Sequence, residues 1–211
     1  MDSIADICFN ESRQGESVMN KLAKIVRIIT VAPIMALVLC SVLLARGDAY
    51  NGLYMYFVCL FCLCVLPALS YVIESKTHIV AKRHPEMSSR ECMRRLAIYM
   101  SNLGYVALTV VVYATRQPSL LKEMALTYLF SGILIYIFSI ILNIDASGHS
   151  CGFIGPVAFL AYNVSWWFLL LLPLFFILAW SSLKLKRHTP FQVVLGAVIP
   201  VVCFVLAVAI V

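Results

Sequence analysis

Two histidines stand in polar stretches of an otherwise apolar chain. His149 lies in "NIDASGHSCGFIG" (143–155), beside Ser147 and Gly148 and ahead of Gly152 and Gly155. His188 lies in "SSLKLKRHTPFQ" (181–192), just after Lys184, Lys186 and Arg187. Ionisable groups at membrane level are costly to keep unless they face a cavity or a site. Two imidazoles among cations suit phosphoryl transfer. One ring attacks phosphorus, the other protonates the leaving oxygen, and guanidinium and N–H donors hold the spreading negative charge. Such a scheme needs no metal or cofactor, and the sequence offers no carboxylate cluster suited to Mg²⁺. No metal and no cofactor are therefore expected.

The spacing around each histidine fits that chemistry. Gly148 lets the backbone approach an anion closely, and Gly152 and Gly155 open a helix whose N-terminal N–H groups face a phosphate. In "KRHTPFQVVLG", Thr189 reads as an N-cap and Pro190 as a first-turn proline. His188 is then held just outside a helix N-terminus.

The elements that must carry these residues are membrane helices. The chain has 211 residues, 63% hydrophobic and 12% charged, with a mean hydropathy of +0.96. Soluble domains of this length are about half apolar and about one quarter charged. The expectation is an all-α integral membrane protein, a helical bundle of six or seven transmembrane segments, two of them short. The net charge of +6 reflects loops and headgroup contacts, so no nucleic-acid partner is expected. Residues 1–24 form a polar tail without signal-peptide character, and 25–211 a single transmembrane domain. Cys59, Cys62 and Cys64 lack a second pair and a nearby His, so they read as buried apolar residues.

Apolar spans fall near 25–46, 53–73, 96–114, 123–143 and 190–211. Residues 153–180 carry no charge, too long a run for one helix and short for two. Asn163 and Ser165, followed by Trp166 and Trp167, favour a hairpin joined near Asn163. That turn puts His149 and His188 on one face; a single long helix would separate them. It also gathers Lys21, Lys24, Arg27, Lys76, Lys82, Arg83, Arg90, Arg94, Arg95, Lys184, Lys186 and Arg187 on that face. The positive-inside rule names it cytoplasmic. Lys184, Lys186 and Arg187 are by default headgroup anchors, and Asp145 a water-exposed helix end or the group setting the His149 tautomer.

The "SGH" stretch and the later "KRHTPFQVVLGA" resemble the type 2 phosphatidic acid phosphatase superfamily, whose soluble relatives include vanadium haloperoxidases. Its motifs are K-x6-R-P, P-S-G-H and S-R-x5-H-x3-D, and the resemblance covers about residues 75–211. It implies metal-independent hydrolysis of a lipid phosphate or diphosphate, with His188 as nucleophile and His149 as general acid. Ser147 and Gly148 match the second motif, with Ala146 in place of Pro. For the first motif two choices stand: Lys76 to Arg83, which has the K-x6-R spacing, or Arg90 and Arg94, one helical turn apart. The third motif departs: Ser182 replaces a phosphate-binding Arg, and Gln192 replaces an Asp that orients the imidazole. One of the nearby cations could stand in for the missing Arg, and Gln192 could still accept the ring N–H.

The expected activity is hydrolysis of a phosphate monoester or diphosphate of a lipid through a phosphohistidine. Phosphatidate, diacylglycerol diphosphate, a phosphatidylglycerophosphate and a polyprenyl diphosphate fit equally. Ser147, Gly148, Arg83, Arg90 and Arg94 are the expected substrate-binding residues. The alternative is a degenerate member that binds or translocates a phosphorylated lipid; an unrelated transporter is weaker, with no repeat or broken-helix pair to support it. Substrate and membrane lipids are the expected partners, and a bacterial plasma membrane the expected location.

Overall fold

A computed structural model describes residues 18–23, 25–26 and 30–211. Most of the expected N-terminal tail lies outside the described residues, as do Lys24 and Arg27. The described chain is helical, without a strand among these residues.

Five helices are long and apolar enough to cross a membrane, which makes this an integral membrane protein. They are α2 (Leu53–Thr77), α4 (Ser89–Ala114), α5 (Ser119–Ile141), α7 (Trp166–Lys184) and α8 (Pro190–Ile210). Two shorter helices pack among them, α1 (Ala32–Arg46) and α6 (Gly148–Asn163), and a single-turn helix α3 spans Ile79–Arg83.

Local chemistry fixes these boundaries. Pro33 opens α1, and Gly47, at φ 86°, closes it by donating its N–H to the Leu44 carbonyl. Ser88 caps α4 by accepting the Glu91 N–H. The Ser-x-x-Glu pattern there starts the helix seven residues before the apolar run near 96, so Arg90, Arg94 and Arg95 are helical. The break expected near Asn163 is present: α6 ends there and α7 begins at Trp166. A 3-10 stretch, Trp166–Leu171, leads α7, and Pro173 stands where it becomes α-helical.

Close helix packing uses small residues, as expected where apolar lipid gives no hydrophobic drive to association. A Cβ on Gly104 would meet the Cys62 carbonyl oxygen at 2.3 Å. That carbonyl lies in a π-helical turn of α2, Phe61–Val65, so the bulge in one helix sits against the gap in the other. Gly196 of α8 meets the Ser147 carbonyl as closely, and Gly152 of α6 lies against Ala32 of α1. The main core joins Leu39, Leu43, Met55, Leu108, Met124 and Phe159 and includes Cys40, Cys59 and Cys62. Val110, Leu170, Phe176 and Val205 are exposed, as lipid-facing side chains are in a chain of this composition.

Candidate functional site

A cavity of about 580 Å³ opens at the end of the bundle where α4, α6 and α8 begin. Its mouth is lined by Arg90, Arg94, Asp145, His149, Arg187 and His188. The loops before α6 and α8 therefore meet at one end of the molecule, as the hairpin turn requires.

The α7–α8 connection shows how Arg187 and His188 reach the mouth. Lys186 takes a left-handed conformation at φ 50°. The Arg187 N–H bonds the Ser182 carbonyl at 2.9 Å, and the Lys186 N–H bonds the Leu183 carbonyl at 2.9 Å. This paired closure is a Schellman motif, which turns the chain sharply off the helix axis. Thr189 then caps α8, with Pro190 in its first turn.

Gln192 turns back onto its own helix start. Its Oε1 accepts the Thr189 N–H at 2.9 Å, and its own N–H donates to Thr189 Oγ1, forming a capping box. The imidazole is held from across the cavity: His188 Nδ1 lies 3.1 Å from the backbone oxygen of Asp145, 43 residues away. A carbonyl can only accept, so Nδ1 carries a proton and donates it to this contact.

Asp145 has a second task. Its Oδ1 lies 2.6 Å from Arg94 Nη1, an ion pair by distance whose N–H is not aligned for a hydrogen bond. The carboxylate thus anchors Arg94 while leaving donor capacity on the guanidinium. Asp145 is half-buried, and it contacts both Arg94 and His188. Arg90 lies within electrostatic reach of Arg94, Arg187 and Asp145. Three guanidinium groups therefore line the cavity beside two carboxylates, Asp145 at ion-pair distance from Arg94 and Glu91 paired with Arg95, which leaves a positive excess suited to an anion.

Some expected residues sit elsewhere. Ser147 is fully buried and does not line the cavity. Its hydroxyl caps α6, accepting the Ser150 N–H and hydrogen-bonding Ser150 Oγ at 3.0 Å. Its N–H donates to the Gln192 carbonyl at 3.0 Å, so Ser147 joins the two helix starts rather than facing the mouth. Gly148 does line the mouth, and a Cβ there would meet nothing within 4 Å. α6 begins at Gly148, so Gly152 and Gly155 lie within the helix and serve its packing against Ala32 and Pro200. Arg83 is exposed and outside the lining. The Val80 and Ala81 N–H groups bond the Glu74 carboxylate, both at 3.0 Å, which ties α3 to the end of α2 rather than to the mouth. Ser182 is buried and outside the lining, while Arg187 lies within it. Lys184 and Lys186 are exposed, consistent with headgroup anchors.

Comparison with known proteins returns no match, whether to a family model, a curated sequence or a solved structure. The site therefore rests on its own geometry.

Proposed function

We propose that this protein hydrolyses a phosphate monoester or diphosphate of a lipid, without a metal ion, as a member of the type 2 phosphatidic acid phosphatase superfamily. The observation that carries the reading is the meeting of two histidines and three arginines at the mouth of one cavity that continues into the apolar bundle.

The residues divide the chemistry as follows. Arg90, Arg94 and Arg187 hold the phosphoryl oxygens, and Gly148 leaves room for close approach. The His188 Nε2 lone pair attacks phosphorus; the P–N bond forms as the P–O bond to the lipid breaks. His149, entering as imidazolium, gives its proton to the departing oxygen. Neutral His149 then takes a proton from water, whose oxygen attacks phosphorus. The P–N bond breaks with its electron pair returning to His188, and inorganic phosphate leaves. Asp145 is a positioning residue: its carbonyl fixes the His188 ring and its carboxylate fixes Arg94. On this reading Arg187 takes the place of the Arg that Ser182 lacks, and the Asp145 carbonyl takes that of the carboxylate Gln192 lacks.

The arginine- and lysine-rich end is assigned to the cytoplasmic side of a bacterial plasma membrane, because basic residues collect there. Phosphate release from a panel of lipid phosphates, in detergent with EDTA, tests the activity. Release that persists in EDTA and disappears in His188→Ala is expected. Binding without release from any lipid would favour the alternative, a member that holds or translocates its lipid.

A further inference from the structure

The cavity does not end at the charged mouth. It continues past Ser101, Asn102 and Ser131 to Leu39, Met124 and Phe159, which belong to one core cluster packed against Tyr105 and Tyr128. Leu39 and Met124 are fully buried and Phe159 nearly so, so the slot has a closed floor.

Its depth follows from the helices that flank it. Arg94 at the mouth and Tyr105 beside the floor are eleven residues apart on α4, about 16 Å at the helical rise. His149 and Phe159 are ten residues apart on α6, about 15 Å. An extended chain advances about 1.25 Å per bond, taking the Cα spacing over three bonds. The slot is then about a dozen carbons deep. The volume gives the same answer independently. At about 30 Å³ per non-hydrogen atom, the share of a water molecule in the liquid, a cavity of about 580 Å³ holds about twenty atoms. That is one phosphate and one chain of a dozen to fifteen carbons. A two-chain glycerolipid or a long polyprenyl chain exceeds it about twofold or more.

We propose that the slot beneath the histidines is a length-limited site for one hydrocarbon chain, so that the ligand is a single-chain phosphate or diphosphate with a tail of about a dozen to fifteen carbons. The proposal deepens the phosphate-binding reading above and rests on it for the position of the head group. Selection comes from fit and not from hydrophobicity, because a tail leaving the bilayer exchanges one apolar surrounding for another. A short chain leaves a void above the floor, and a long one must fold back or stay outside.

A direct test is photolabelling of the wild-type protein in detergent with tetradecyl phosphate carrying a diazirine at the chain end. Expected labels fall on the floor, on peptides holding Met124, Phe159 or Leu39, and excess unlabelled tetradecyl phosphate removes them. Labels confined to the outer surface, such as Leu170 and Phe176, would overturn the proposal. A ladder of hexyl, decyl, tetradecyl and octadecyl phosphates competing for the label should peak at tetradecyl and fall about tenfold at octadecyl. Met124→Trp, which raises the floor, should move the peak to decyl. A flat ladder would also overturn the proposal. Floor labelling with no phosphate release would uphold the tail site and remove the hydrolytic reading. Release of phosphate without floor labelling or length preference would do the reverse.

Discussion

At the end of the bundle away from the histidines, polar groups close on one another. Gln117 is buried; its Oε1 accepts the Asn51 N–H, and its Nε2 donates to Tyr54 and Thr115. Arg46 pairs with Asp48 and bonds the last carbonyl of α6, at Asn163. At the other end, three arginines face one cavity, with Asp145 at ion-pair distance from Arg94 and Glu91 paired with Arg95. The Gln117 contacts satisfy a buried amide and thereby hold the loops before α2 and α5 together. The arginine end keeps like charges close, which costs stability unless an anion enters. Gln117 is thus satisfied by neighbours in the chain, whereas on the proposed reading the arginines at the other end are satisfied by a ligand.

Substitutions at the two ends should separate along that line. The largest effect falls on His188→Ala, which should remove phosphate release by on the order of 10⁴-fold or more with little change in thermal unfolding. Steady-state release and a melting curve on the same preparation check both halves. Arg187→Gln should lower kcat/KM by about 10²–10³-fold, while relief of repulsion with Arg90 leaves the melting temperature unchanged or raised. A lower melting temperature with normal turnover would place Arg187 among the structural residues. Gln117→Ala, at the opposite end, should do the reverse. It strands the Asn51 N–H and costs about 1–3 kcal/mol of stability, with turnover per folded molecule intact. The smallest effect overall belongs to Gly148→Ala. Nothing crowds the new methyl and the position is helical, so the protein should gain up to about 1 kcal/mol. Because the methyl enters the mouth, substrate KM should rise all the same.

Much of the helix pattern is legible in the sequence because apolar runs and turn formers are local signals. The break at Asn163, and with it the shared end for His149 and His188, follows from a run too long for one helix. The Thr189 cap and Pro190 were equally readable. So was an earlier start for α4, since Ser88 and Glu91 form the spacing of a capping box; that signal outweighs the apolar run near 96. The rest of the site depends on tertiary contacts. Nothing local says that a carbonyl 43 residues away holds His188, or that Gln192 turns back to cap its own helix. Ser147 is buried because its chain lies against Gly196, a contact between two helices. Arg187 reaches the mouth because Lys186 adopts a conformation more typical of glycine. Both residues carry their identity in the sequence, but their direction is set by the fold.

The central claim is that His188 carries the phosphoryl group between lipid and water. It is tested most directly by quenching the protein during turnover of a lipid substrate labelled in its phosphate, then mapping the modified peptide. The account predicts an acid-labile, base-stable phosphohistidine at His188 in the wild type and none in His188→Ala. Turnover without a phosphorylated residue, or with the label on another side chain, would contradict it.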